Sequence, residues 1–160
     1  MSATTVYGRS IQEQLRVAEA KLTAFPVNTT SILYALTVPA ALGSIRVVDI
    51  QWVASAVLSD ADGTMLVSVL ARDASEGADD TLVNAVNIEG GTAHIPASFT
   101  LITEGTEKEL TLDVGDSIRV TFTGNSAAID TNGAVSVLVF YHPIPLETAG
   151  DDIRHATFYR

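Results

Sequence analysis

Cysteine is absent from all 160 residues, which removes disulfide scaffolds, thiolate zinc sites and cysteine nucleophiles together. The redox compartment stays open. Aromatic residues make up only 6% of the chain, with one tryptophan, so a broad stacking surface has little to be built from. Charged residues amount to 18% and apolar ones to 47%, a balance that argues against extended disorder and for one domain with a real core. Apolar runs are broken by charge well short of the roughly 20 residues that a membrane-spanning helix needs. No basic-then-apolar export signal opens the chain. The expectation is a protein made in the cytoplasm, with no membrane partner.

Cations are scarce as well: nine Lys and Arg against nineteen Asp and Glu leave a formal net charge of −10. From Asp60 to Asp116 twelve acids stand against Arg72 and Lys108, whereas residues 1–30 hold Arg9, Arg16 and Lys21 against Glu13 and Glu19. Such a body repels polyanions, so nucleic acid is not expected as a partner. Its acidic middle reads as a solvated surface that keeps the protein soluble.

What is present is a grammar of short alternating runs. Leu110, Leu112 and Val114 alternate with polar residues, Gly115-Asp116 supplies a turn, and Ile118, Val120 and Phe122 alternate again. A period of two buries one face of a strand, so this stretch predicts a hairpin, or at least two successive strands. The pattern recurs from about Thr30 to Tyr141 and predicts an antiparallel sandwich or barrel. Ile32, Tyr34, Leu36 and Val38 are expected on one face. The run from Ile45 to Leu58 switches parity midway, the mark of a bulge or of a strand covered on both sides. Trp52 reads as a core or inter-subunit anchor.

Ahead of the strands, Ser10-Ile-Gln-Glu13 fits a helix capping box, and Ile11, Leu15, Ala18, Leu22 and Phe25 recur at helical spacing until Pro26. This predicts a helix over about 11–24, too short to persist without a surface to lie on. The chain thus divides into an arm and helix over 1–28, a sandwich over 29–145 and a tail over 146–160.

No chemistry-bearing set emerges. His94, His142 and His155 share no metal-ligand spacing. Asp113 and Asp116 flank a turn and read as turn formers more readily than as a catalytic pair. Asp60, Asp62 and Gly63 are a fragment of a calcium loop without its distal glutamate. No catalytic, cofactor-binding or metal residue is assigned, no cofactor is expected, and the chain is not expected to be an enzyme.

Residues 39–143 resemble a known group of proteins. The segments that carry the likeness are Pro39-Ala-Ala-Leu-Gly-Ser-Ile-Arg-Val-Val-Asp-Ile50, Leu110-Thr-Leu-Asp-Val-Gly-Asp-Ser-Ile-Arg-Val-Thr-Phe122 and the closing strand that ends Phe140-Tyr-His-Pro143. Together they are similar to the capsid decoration, or cement, proteins of tailed bacteriophages. That resemblance implies an all-β jelly-roll sandwich of about eight antiparallel strands. It also implies a structural virion protein, made in the host cytoplasm, that binds the major capsid protein on the outer surface and stabilises the shell by bridging capsomers, often as a homotrimer.

On this reading the less acidic ends are the docking candidates: Arg9, Ile11, Leu15, Arg16, Leu22 and Phe25 from the arm, with Arg154, Phe158, Tyr159 and Arg160 from the tail. The alternative is a carbohydrate- or receptor-binding sandwich of a phage tail or fibre.

Overall fold

The computed structural model describes residues 15–61, 63–102 and 111–144. Nine strands and one 3-10 turn appear in order: β1 (Arg16–Leu22), β2 (Thr29–Thr37), the turn Ala40–Leu42, β3 (Ser44–Ala54), β4 (Met65–Arg72), β5 (Asp79–Asn87), β6 (Ala97–Ser98), β7 (Thr111–Leu112), β8 (Ser117–Gly124) and β9 (Val135–Ile144). They form two antiparallel sheets. One runs β1-β9-β3, with β6 and β7 sharing the far edge of β3; the other runs β2-β8-β4-β5. Because β6 pairs Gln51–Trp52 and β7 pairs Ile45–Arg46, the two fragments fill one strand position, and each sheet has four. First strand pairs with last, second with eighth, and the chain crosses between sheets at almost every connection. That nesting is the jelly-roll order.

The core follows from strand alternation. Met65, Val67 and Val69 of β4, Ile118, Val120 and Phe122 of β8, and Val135, Val137 and Val139 of β9 are all fully buried between the sheets. In β3 the expected parity switch is a bulge between Val47 and Asp49, which leaves Val48 exposed and returns Ile50, Trp52 and Ala54 to the interior. The ring of Trp52 packs beside Phe99, with centroids 6.5 Å apart, and lies against Gly91.

Three expectations need correction. The helix over about 11–24 is not what residues 16–22 form: Arg16–Leu22 is a strand along β9, from Arg16 opposite Tyr141 to Leu22 opposite Val135. Ala18, Ala20 and Leu22 turn inward while Val17, Glu19 and Lys21 turn outward, a period of two hidden inside the helical spacing. Without this strand β9 would be an unpaired edge, so a ladder of backbone hydrogen bonds prevails over a marginal local helix. Residues 11–14 of that expected helix lie outside the described residues.

Second, the described part of the stretch 110–122, residues 111–122, is two successive strands, the second of the two readings, and not a hairpin. β7 pairs with β3 and β8 with β2 and β4, so the stretch carries the chain from one sheet to the other. Gly115, at φ +96°, makes the turn, and Asp116 N–H donates to the Asp113 carbonyl at 3.0 Å. Third, Ile32 and Tyr34 do not face the core. Ser31, Leu33 and Ala35 are the inward side of β2, and a register shift between Tyr34 and Leu36 restores Val38 to the interior.

Candidate interaction surfaces

The register fixes which parts of the chain share an end of the sandwich. At one end lie the turns 23–28, 55–64, 88–96 and 125–134. At the other lie 38–43, 73–78 and 113–116, together with the first residue of β1 and the last residues of β9. Arg16 stands opposite Tyr141 on neighbouring strands, so Leu15 and Ile144, the described residues nearest the two ends, lie at one corner of the body.

Of the docking candidates, Leu15 is exposed at that corner and Arg16 opens β1, also exposed. Leu22 and Phe25 stand at the opposite end. Leu22 packs on the core, and Phe25 is 2% exposed, its ring edge-on to Phe122 at 5.9 Å. Phe25 is therefore spent on the fold and has no surface to offer a neighbour. Arg9, Ile11, Arg154, Phe158, Tyr159 and Arg160 lie outside the described residues.

The acids at the corner end act as staples of their turns. Asp73 accepts from the Ser75 hydroxyl and N–H, both at 2.6 Å, and from Glu76 N–H at 3.0 Å. The Ser75 hydroxyl first, then the Glu76 and Ser75 amides, hold its carboxyl below the usual carboxylate range. Asp116 accepts from Ala74 N–H at 3.0 Å and Asp113 N–H at 2.8 Å, and Asp113 takes the Ser44 hydroxyl at 2.6 Å. Asp113 and Asp116 thus form their turn, as their spacing suggested. At the far end Asp130 accepts from Ala61 N–H at 2.8 Å. Among the described residues no group of three or more His, Asp or Glu is arranged to hold a metal ion. His94 sits on a loop at φ +60°, and His142 lies on β9 with outward parity.

The outer face of the β2-β8-β4-β5 sheet has a different character. Ile32 and Tyr34 stand 52% and 59% exposed on β2, beside Thr121 and Arg119 of β8, with Ser68 and Leu70 of β4 beyond. Thr30 and Thr123 share a hydroxyl hydrogen bond at 3.1 Å. Asp79 accepts from Arg119 at 2.6 Å and lies 3.4 Å from Arg72, so Arg119, beside Tyr34, is paired with an acid of β5. Sequence reasoning missed the apolar strip because it set Ile32 and Tyr34 on one face with Leu36 and Val38; the signal available was the opposite parity of Ser31, Leu33 and Ala35. Tyr34 is also the only exposed aromatic among the described residues, one ring where a sugar platform needs several.

No protein-family model and no curated protein matches the chain. Two solved structures are similar to it. A chain of the cyanophage Pam1 capsid asymmetric unit aligns at 20% identity and a TM-score of 0.53, over 83% of this chain and 87% of that one, so the two have about the same length and share a fold. A chain of infectious bursal disease virus, Gx strain, aligns at 12% identity and a TM-score of 0.37, over 85% of this chain but only 38% of that one, a likeness too slight to argue from.

Proposed function

We propose that this protein is a structural component of a phage virion, which binds the major capsid protein on the outside of the shell and stabilises it by bridging capsomers. The observation that carries the reading is the match along nearly the whole length of both chains to one of similar size from a phage capsid asymmetric unit. Two features support it. Asp73, Asp113, Asp116 and Asp130 are held by backbone and hydroxyl groups, a structural use of these acids. Leu15 and Ile144, the described residues nearest the two ends, lie at one corner of the body, and the sequence beyond them carries Arg9, Arg154 and Arg160. Docking through Arg9, Ile11, Leu15, Arg16, Arg154, Phe158, Tyr159 and Arg160 belongs to this proposal, as does assembly of the protein as a homo-oligomer, for which the resemblance implies a trimer.

The test is sedimentation of purified chain with heads that lack it. Binding should saturate at a fixed copy number per head, and deletion of residues 1–14 should weaken it. The deletion must stop there, since removing 1–25 would take β1 and Phe25 from the fold. A chain that stays in the supernatant at every concentration overturns the reading, and glycan titration would then test the receptor-binding alternative.

A further inference from the structure

An asparagine followed by glycine can lose its amide without an enzyme, by attack of the next backbone nitrogen on the side-chain carbonyl. The asparagines of this chain precede Thr29, Ala85, Ile88, Ser126 and Gly133, so only at Asn132 does the next residue lack a side chain to shield that nitrogen. Asn132 is exposed in the turn before β9, and its carboxamide is held by three hydrogen bonds. Oδ1 accepts from Phe25 N–H and from Gly133 N–H, both at 2.8 Å, and Nδ2 donates to the Phe25 carbonyl at 3.0 Å. The Gly133 N–H therefore already points at the side chain that its nitrogen would attack. A donor to a carbonyl oxygen prefers the plane of the carboxamide, however, whereas attack on Cγ comes through its face. Turning the carboxamide face-on swings Oδ1 and Nδ2 off Phe25, so the bonds that tie down the 23–28 turn also hold the reaction back.

We infer that Asn132 is a site of spontaneous modification guarded by its own hydrogen bonds with Phe25: it converts to the acid when the turn opens, and the product cannot close the turn again. Gly133 N gives its proton to a buffer base and bonds to Cγ; the carboxamide nitrogen takes up a proton and leaves as ammonia, and a cyclic imide remains. Water then adds at Cγ and breaks the new bond to give aspartate, or adds at the backbone carbonyl and breaks the old one to give isoaspartate. Neither product, as a carboxylate, can donate to the Phe25 carbonyl, and isoaspartate adds a methylene to the backbone. Opening of one turn is faster than this chemistry, so the rate follows the open fraction. The inference does not depend on the capsid reading.

The full chain is aged warm in mildly alkaline buffer, folded and, in parallel, unfolded in guanidinium chloride, and followed by intact mass and peptide mapping. The mass gain of an amide-to-acid exchange should appear at Asn132 before any other asparagine, as aspartate and isoaspartate together. It should build up in the folded chain at least about tenfold more slowly than in the unfolded one, yet measurably. Asn132→Gln, whose longer side chain closes a ring far less readily, should remove it. In urea the modified fraction of the aged, folded sample should unfold at a lower midpoint than the unmodified one. A folded chain that gains mass as fast as the unfolded one, gains it first at another asparagine, or gains none while the unfolded chain is fully converted would overturn the inference, as would an unchanged midpoint.

Discussion

One side chain brackets another residue's backbone: the amide of Asn132 accepts from Phe25 N–H at 2.8 Å and donates to the Phe25 carbonyl at 3.0 Å, across 107 positions of sequence. The bracket ties the turn after β1 to the turn before β9 and holds the Phe25 ring against Phe122. Asn132→Ala strands both backbone groups beside the core and should cost about 2–3 kcal/mol in urea denaturation. Asn132→Asp keeps the acceptor, loses the donor and sets a carboxylate facing a carbonyl, so it should be no better tolerated than Ala.

Gly91 offers a second check on the packing. A Cβ there would collide with the Trp52 ring, so Gly91→Ala must displace the indole or the 88–96 turn. Overpacking of this kind costs about 1–3 kcal/mol. The only tryptophan reports it directly: its emission should shift to the red in the variant, and an unchanged spectrum with unchanged stability would mean that the turn yields freely.

Ala85 is the one alanine at positive φ among the described residues, at +44°, held there by the irregular pairing of β5, with its N–H on the Ser68 hydroxyl at 3.0 Å. The left-handed region costs an L-residue about 1–2 kcal/mol, against roughly 0.5–1 kcal/mol of extra chain entropy lost by glycine. Ala85→Gly should therefore be neutral or stabilising by up to about 1 kcal/mol. A clear loss of stability would show that the backbone there is differently placed.

The Asp73 turn has a pH signature. Its carboxyl is lowered in the folded state by the Ser75 hydroxyl first and then by the two amides. The folded form is thus favoured where Asp73 is ionised, and that contribution is present above the unfolded pKa and lost as pH falls through the lower, folded one. NMR titration should place its midpoint below that of an unperturbed aspartate, and Ser75→Ala should move it upwards.

These tests also show how much of the molecule was legible beforehand. Strand alternation located β3, β4, β8 and β9, because core parity is a local signal; it marked the parity switch in β3 as a bulge or a strand covered on both sides, and the pairing with β9 decides for a bulge at Val48. The strand Arg16–Leu22 was not legible: Ala18 and Leu22 satisfy both helical and strand spacing, and the choice was made by β9, more than a hundred residues away. Tyr34 misled for a similar reason, since both parities of Ser31–Leu36 contain apolar residues and pairing with β8 decides between them. Asn132 gave no signal, because a bracket exists only once the 125–134 turn meets Phe25 in space. Of the docking candidates, composition marked out the end segments, while the fold placed Leu15 and Arg16 at one corner with the end of β9 and buried Phe25.

The claim that this chain stabilises a capsid from outside is tested most directly by heating filled heads that lack it, with and without saturating purified chain, and following genome release by dye fluorescence. Bridging of capsomers predicts that the release temperature rises as sites fill and levels off at saturation. Heads that release at the same temperature with the chain bound would contradict the account.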